Sequence, residues 1–192
     1  MTSRQHFEKQ RQDKLRKILD AARHVFCRKG FLAVKMQDII NECGISRGGI
    51  YFYFSSVDEV FLAVLGQRNK ETIDMNEPFE TVLSTFLTRQ KERLMNFENS
   101  LFRAYCEYIF SQPKTVIHAL RDTQLIELRS SVEAILNYGA SQGVIKNKNI
   151  SQLAIHFIAT VDGLSILALG DALPEETIDE QFAILTGIIK GD

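Results

Sequence analysis

A chain of 192 residues, 45% of them hydrophobic and only three of them proline, is long enough for one large or two small domains and can bury a sizeable core. Its formal net charge of -1 conceals an asymmetry: residues 1–35 hold ten Lys/Arg against three Asp/Glu, and residues 71–192 hold ten against seventeen. A basic end on an acidic body suits a polyanion bound at one end only, although a solvated helix face gives the same count.

Other classes are disfavoured by what is missing. Cys27, Cys43 and Cys106 have no paired or metal-like spacing, so buried free thiols are expected, with a redox sensor the lesser alternative. The four histidines, at 6, 24, 118 and 156, form no ligand pattern, and no metal or cofactor is expected. The polar N-terminus is unlike a signal peptide. The most apolar stretch, Ile150 to Leu169, is interrupted by His156, Asp162 and Ser165, so no membrane span is expected and the location is read as cytoplasmic.

In chain order, residues 1–10 read as a frayed basic arm. From Gln12, the residues Leu15, Ile18, Leu19, Ala22, Val25 and Phe26 recur at helical spacing up to Gly30, and Arg11, Lys14, Arg16 and Lys17 are assigned to the opposite, outward face. A second helix, Met36 to Cys43, would bury Ile39 and Ile40. Gly44 suits its left-handed end, and Ser46 suits the N-cap of a short third helix, Arg47 to Phe54. Ser56 and Glu59 match the S-x-x-E capping box of a fourth helix, Val57 to about Ile73. Two short helices about a glycine turn make helix-turn-helix geometry.

The third helix offers Arg47, Gly48, Gly49, Tyr51, Phe52 and Tyr53 to a DNA groove. Arg47 is the expected base reader, because guanidinium matches guanine bidentately; a phosphate contact is the alternative. Gly48 and Gly49 would let the backbone approach closely, and Phe52 could meet a thymine methyl. Ile45, Ile50 and Phe54 read as core.

The rest reads as helices: Phe79 to Phe97, Leu101 to Phe110, Val116 to Tyr138 ending in a Gly139–Gly143 turn, Ser151 (as cap) to Leu169, and Pro174 to Lys190. No strand-like alternation occurs. The expected fold class is all-α.

The series Ile18, Ala21, Ala22, Phe26, Gly30 and Phe31, followed by Asp38-Ile39, Gly44-Ile45-Ser46, Tyr51-Phe52-Tyr53-Phe54 and Val60-Phe61, resembles the TetR family of transcriptional regulators over roughly the first third of the chain. A weaker echo lies in Gly143-Val144-Ile145 and Asp162-Gly163-Leu164. The resemblance implies an N-terminal three-helix helix-turn-helix DNA-binding domain, residues 1–56, joined to a helical ligand-binding and dimerisation domain, residues 57–192. It implies phosphate contacts for Tyr51 and Tyr53, a base-edge reach for Gln37, and adds Lys35 and Ser46 to the DNA-facing set. Val34 stands where the family usually has the threonine that opens helix two, and Val57 where it has a phosphate-binding lysine; Lys35 and the N-terminal cations could compensate.

Residues 150–169 are apolar on nearly every side, which implies burial all round. The resemblance makes the last two helices half of a four-helix homodimer bundle, with Ile155, Ile158, Ala159, Asp162 and Ile166 on one and Phe182, Leu185 and Ile189 on the other. A purely intramolecular core is the alternative. Such a dimer would place two reading helices about 34 Å apart on double-stranded DNA, at a pseudo-palindromic operator.

The resemblance further implies a small effector that releases DNA. Phe79, Phe86, Phe97, Phe102, Tyr105, Tyr108 and Leu125 are the candidate lining, suggesting a hydrophobic compound, though aromatics at this spacing are core more often than pocket. His118 and His156 are candidate polar handles. No paired carboxylates, nucleophile elbow or phosphate-cradling loop is found, so enzyme activity is not expected. The alternatives to an effector-released repressor are a ligand-independent repressor, an architectural DNA-binding protein and an activator.

Overall fold

The computed structural model describes residues 3–67, 74–146, 149–170 and 173–191, with the side chains of residues 3, 4, 98 and 118–128 left undescribed. Its helices are α1 (Ser3–Lys29), α2 (Met36–Cys43), α3 (Arg47–Tyr51), α4 (Val57–Gly66), α5 (Phe79–Met95), α6 (Phe102–Ser111), α7 (Lys114–Ser141), α8 (Ile150–Leu167) and α9 (Glu175–Lys190), with a 3-10 turn at Phe97–Asn99. No strand occurs among the described residues, and the fold is all-α.

The chain divides into two compact units, residues 1–70 with 98–111, and residues 71–97 with 112–192. Compactness therefore does not follow a boundary at residue 56. The physical reason lies in the aromatics of the first unit. Phe61 of α4 meets Phe26 edge-on at 4.8 Å, and Phe31 meets Tyr108 of α6 edge-on at 4.7 Å. Phe61 and Tyr108 close the cluster at 5.1 Å. Each ring is buried, and such pairs contribute about 0.5–1.5 kcal/mol beyond area burial. Helix α4 and α6 are thus part of the same core as α1–α3.

Glu107 of α6 ties this core to the α1–α2 turn. Gly30 ends α1 at φ 75°, and a Cβ there would collide with the Glu107 carboxylate. The carboxylate accepts the Leu32 N–H at 3.0 Å and pairs with Arg103 at 2.9 Å. Desolvation pushes the Glu107 carboxyl upward, but these donors together with the Phe31 backbone outweigh it and hold its pKa below the ordinary carboxylate value. A lowered carboxyl pKa adds stability that is complete above the unfolded value, about pH 4.3, and is lost as pH falls through the folded one. Glu107→Gln is accordingly expected to flatten the acid limb of a melting-temperature profile; a limb as steep as the parent's would refute the role.

Helix α1 begins at Ser3, so residues 3–10 are helical and not a frayed arm. Arg11 and Lys14 also lie elsewhere than expected. Positions 11, 14, 18, 22 and 25 follow the four-three spacing of one helical face, so both cations share the face of buried Ile18, Ala22 and Val25. They are exposed because the core ends at Leu15.

In the second unit α5, α7, α8 and α9 enclose Phe79, Val82, Leu83, Val132, Leu136, Leu153, Phe157, Leu185 and Ile189. A smaller cluster holds Leu94, Leu164, Ile178 and Phe182. Gly139 lies within α7, not in a turn, and a Cβ there would sit 2.6 Å from the Phe79 ring. Ser151 does not cap α8. Asn149 takes the cap position, and Ser151 bonds Arg129 instead.

Helix α8, at 18 residues, is long and apolar enough to cross a membrane by length and composition alone, contrary to the expectation from its three polar residues. In the fold it is a core helix, burying Leu153, Ala154, Phe157, Ile158, Leu164 and Ser165.

Candidate nucleic-acid interface

The turn between α2 and α3 forms as its residues dictate. Gly44 takes φ 65°, which L side chains rarely adopt, and its N–H closes α2 on Ile40. Two residues on, Ser46 caps α3 by accepting the Gly49 N–H at 3.3 Å. Ile39 and Ile50 are fully buried, and α2 packs against both α1 and α3. Ile40 and Ile45 are only half-buried.

Helix α3 spans only Arg47–Tyr51, shorter than expected; Phe52 and Tyr53 follow in a turn. Arg47 is exposed, its guanidinium stacked over the Tyr51 ring at 5.5 Å. This holds the cation at the helix start without neutralising it. Phe52 is 75% exposed and stands edge-on to Tyr53 at 5.2 Å. Tyr53 is half-buried, and its hydroxyl donates to the Arg11 carbonyl at 3.5 Å. Phe54 is core, as expected.

The two glycines differ. Nothing lies within 4 Å of a Cβ built on Gly48, whereas one on Gly49 would meet Ile45 Cγ2 at 2.8 Å and the capping Ser46 Oγ at 3.2 Å. Gly49 is therefore explained by the fold, and Gly48 is not. Gly48→Ala is expected to raise stability by up to about 1 kcal/mol through helix propensity. Gly49→Ala should lose at least that much relative to it, by disturbing the cap. Thermal melts of the pair check this, and equal melts would refute it. If Gly48 admits a close-lying partner, Gly48→Ala alone combines a higher melting temperature with weaker DNA binding.

Helix α2 supplies the flanking groups. Its N-cap is Lys35, not the buried Val34. Asp38 accepts the Lys35 N–H at 2.9 Å and pairs with Lys29 at 2.6 Å. The Lys29 bond, then the Lys35 N–H, hold Asp38 below the usual carboxylate range. The helix start is therefore secured without a threonine. Gln37 is exposed and bonded to Asn41 at 2.8 Å, a partner that sequence reading did not single out. Ser56 caps α4, but the reciprocal half of the box is displaced: Glu59 accepts the N–H and hydroxyl of Ser55, at 2.7 Å each. Val57, half-buried, takes the first helical position.

The model for bacterial regulatory proteins of the tetR family matches residues 18–64, which covers α2, α3 and the capped start of α4. YfiR, an HTH-type transcriptional regulator of Bacillus subtilis, is 35% identical over 98 residues, 48% of each chain. Residues 18–64 thus carry the DNA-binding segment of the TetR family.

The chain spans about half the length of YfiR. TtgR, an HTH-type transcriptional regulator of Pseudomonas putida, is 22% identical over 161 residues, 77% of this chain and 76% of its own. A TetR transcription regulator from Haloarcula marismortui superposes with a TM-score of 0.73 at 21% identity, covering 93% of this chain and 98% of its own. That likeness extends the TetR fold over both units.

The outlying site residues are distributed less simply. Phe79 and Tyr108 are core side chains, each in its own unit. Phe86 stacks on Phe157 at 5.0 Å within the second unit, Phe97 is half-buried there, and Phe102 and Tyr105 are half-buried in the first. Leu125 and His118 lie outside the described side chains. His156 is exposed on α8. The groove described on the first unit, lined by Asp13, Arg16, Lys17, Asp20 and Glu42 among others, is charged and unlike an apolar pocket.

Of the expected seam, Ile155, Ala159, Asp162 and Ile166 are exposed along one stripe of α8. Ile158, Phe182, Leu185 and Ile189 are not available to a partner, because they are turned into the chain's own core. On α9 the exposed large apolar residues are instead Ile184 and Ile188, one turn apart, which sequence reading missed.

Proposed function

We propose that this chain is a sequence-specific DNA-binding transcriptional regulator of the TetR family and not an enzyme, working in the cytoplasm as a homodimer on a pseudo-palindromic operator. One observation carries the reading: a capped, five-residue helix and the turn after it present Arg47, with no ion pair among the described residues, an unobstructed Gly48 and an exposed Phe52. Arg47 reads a guanine edge, and Tyr51 and Lys35 hold flanking phosphates; Tyr53, whose one hydroxyl proton goes to the Arg11 carbonyl, reaches a phosphate only by leaving it. Gln37 reaches a neighbouring base edge by leaving Asn41.

The dimer rests on α8 and α9, which adjoin in the second unit and carry Ile155, Ile166, Ile184 and Ile188 at 43%, 58%, 56% and 41% exposure. Four exposed isoleucines on two adjoining helices are the apolar surface that a partner would cover. Repression with release by a small hydrophobic effector is the regulatory form favoured, the half-buried Phe86 and Phe97 of the second unit being the residues from which a lining would be drawn. The effector must bind the released state better than the DNA-bound one.

The experiment is selection of random DNA duplexes by the purified protein, followed by sequencing. Enrichment of a two-fold palindrome supports the reading. Absence of any enriched sequence at low salt, with the protein folded, would overturn it.

A further inference from the structure

We infer that the N-terminal turns of α1 form a second phosphate-binding element, through Arg11 and Lys14, which grips duplex DNA beside the groove read by α3. The inference rests on the DNA-binding reading above. Residues 5–14 are exposed throughout, yet they continue the helix without a break into the core segment at Ile18. The face that buries Ile18, Ala22 and Val25 runs on at the same four-three spacing to Lys14, Arg11 and Phe7. A helix side that should be apolar thus turns cationic where the core ends, and Phe7 beyond it is 71% exposed.

Two observations give that face a direction and an occupant. The Tyr53 hydroxyl on the Arg11 carbonyl puts this level of α1 beside the end of the recognition segment. Arg11 and Lys14 have no ion-pair partner among the described residues, whereas Asp13, one residue away, is taken by Arg16 at 3.5 Å. Two unneutralised cations one helical turn apart, adjoining a DNA-reading helix, are complementary to successive phosphates of one strand. Lys9 lies on the other side of the helix, since it is two residues from both Phe7 and Arg11. It serves as an internal control.

The test is the salt dependence of binding to the selected duplex by the full chain, between about 50 and 200 mM salt. Each lost phosphate contact lowers the slope of log K against log salt by about 0.9, so Arg11→Gln with Lys14→Gln should lower it by roughly 3.6 for two protomers. Lys9→Gln should keep the parent slope. Arg11→Lys with Lys14→Arg should restore it, with unchanged preference for base sequence. A double glutamine variant with the parent's slope overturns the inference, as does an equal loss in Lys9→Gln. A parent that selects no sequence overturns the regulator reading itself, a result distinct from either.

Discussion

Replacing Ile166 and Ile184 together by glutamate is expected to convert the protein to a monomer that keeps its helical circular dichroism. Both side chains are more than half exposed on adjoining helices, so the substitution costs the isolated chain little. Inside a dimer seam the same carboxylates would be buried without partners, at several kcal/mol each. Binding to a palindromic duplex should then weaken by about 10²–10⁴, since the two heads no longer act as one divalent unit. Sedimentation reads the first effect and titration with the selected duplex the second. A dimer that survives both glutamates would refute the seam. Leu185→Glu makes the contrast: Leu185 is 1% exposed in the chain's own core, and a charge there should abolish folding, not separate protomers.

Arg47→Ala should reduce affinity by about 1–3 kcal/mol, roughly 5- to 150-fold, with the loss concentrated at one base position in each half-site. The expectation follows from where the structure holds the guanidinium: at the first residue of α3, past the Ser46 cap, lying on Tyr51 and with no carboxylate partner among the described residues. Arg47→Lys separates charge from shape, because an ammonium keeps the attraction to DNA but lacks the planar fork. It should relax the same position while leaving the salt slope intact. Equal weakening on all sequences would make Arg47 a phosphate contact.

The reading head was legible because its signals are local. Gly44 must supply a positive φ, Ser46 and Ser56 must cap, and Ile39 and Ile50 fall on the only faces two short helices can bury. Legibility failed where several residues satisfy the same local rule. Helix α8 is apolar all round, so periodicity alone does not separate core Ile158 from exposed Ile155 and Ile166. Neighbouring isoleucines on α9 hide the same ambiguity, with Ile189 buried and Ile188 not. Lys35 has no side-chain acceptor, so its place as N-cap depends on Asp38 and could not be read from its own chemistry. The Glu107 contact to Leu32 spans 75 residues and has no local trace at all.

That long-range contact bears on how such a protein can be cut and recombined. The head is not a contiguous piece of chain: a fragment ending at residue 66 or 70 leaves out Tyr108, which packs on Phe31 and Phe61, and Glu107, which holds the turn after α1. Chimeras that graft this specificity onto a different effector body should therefore carry residues 98–111 along with the first helices. A junction placed after α4 alone would pass on the base-reading residues and strand them on a head with an open aromatic seam.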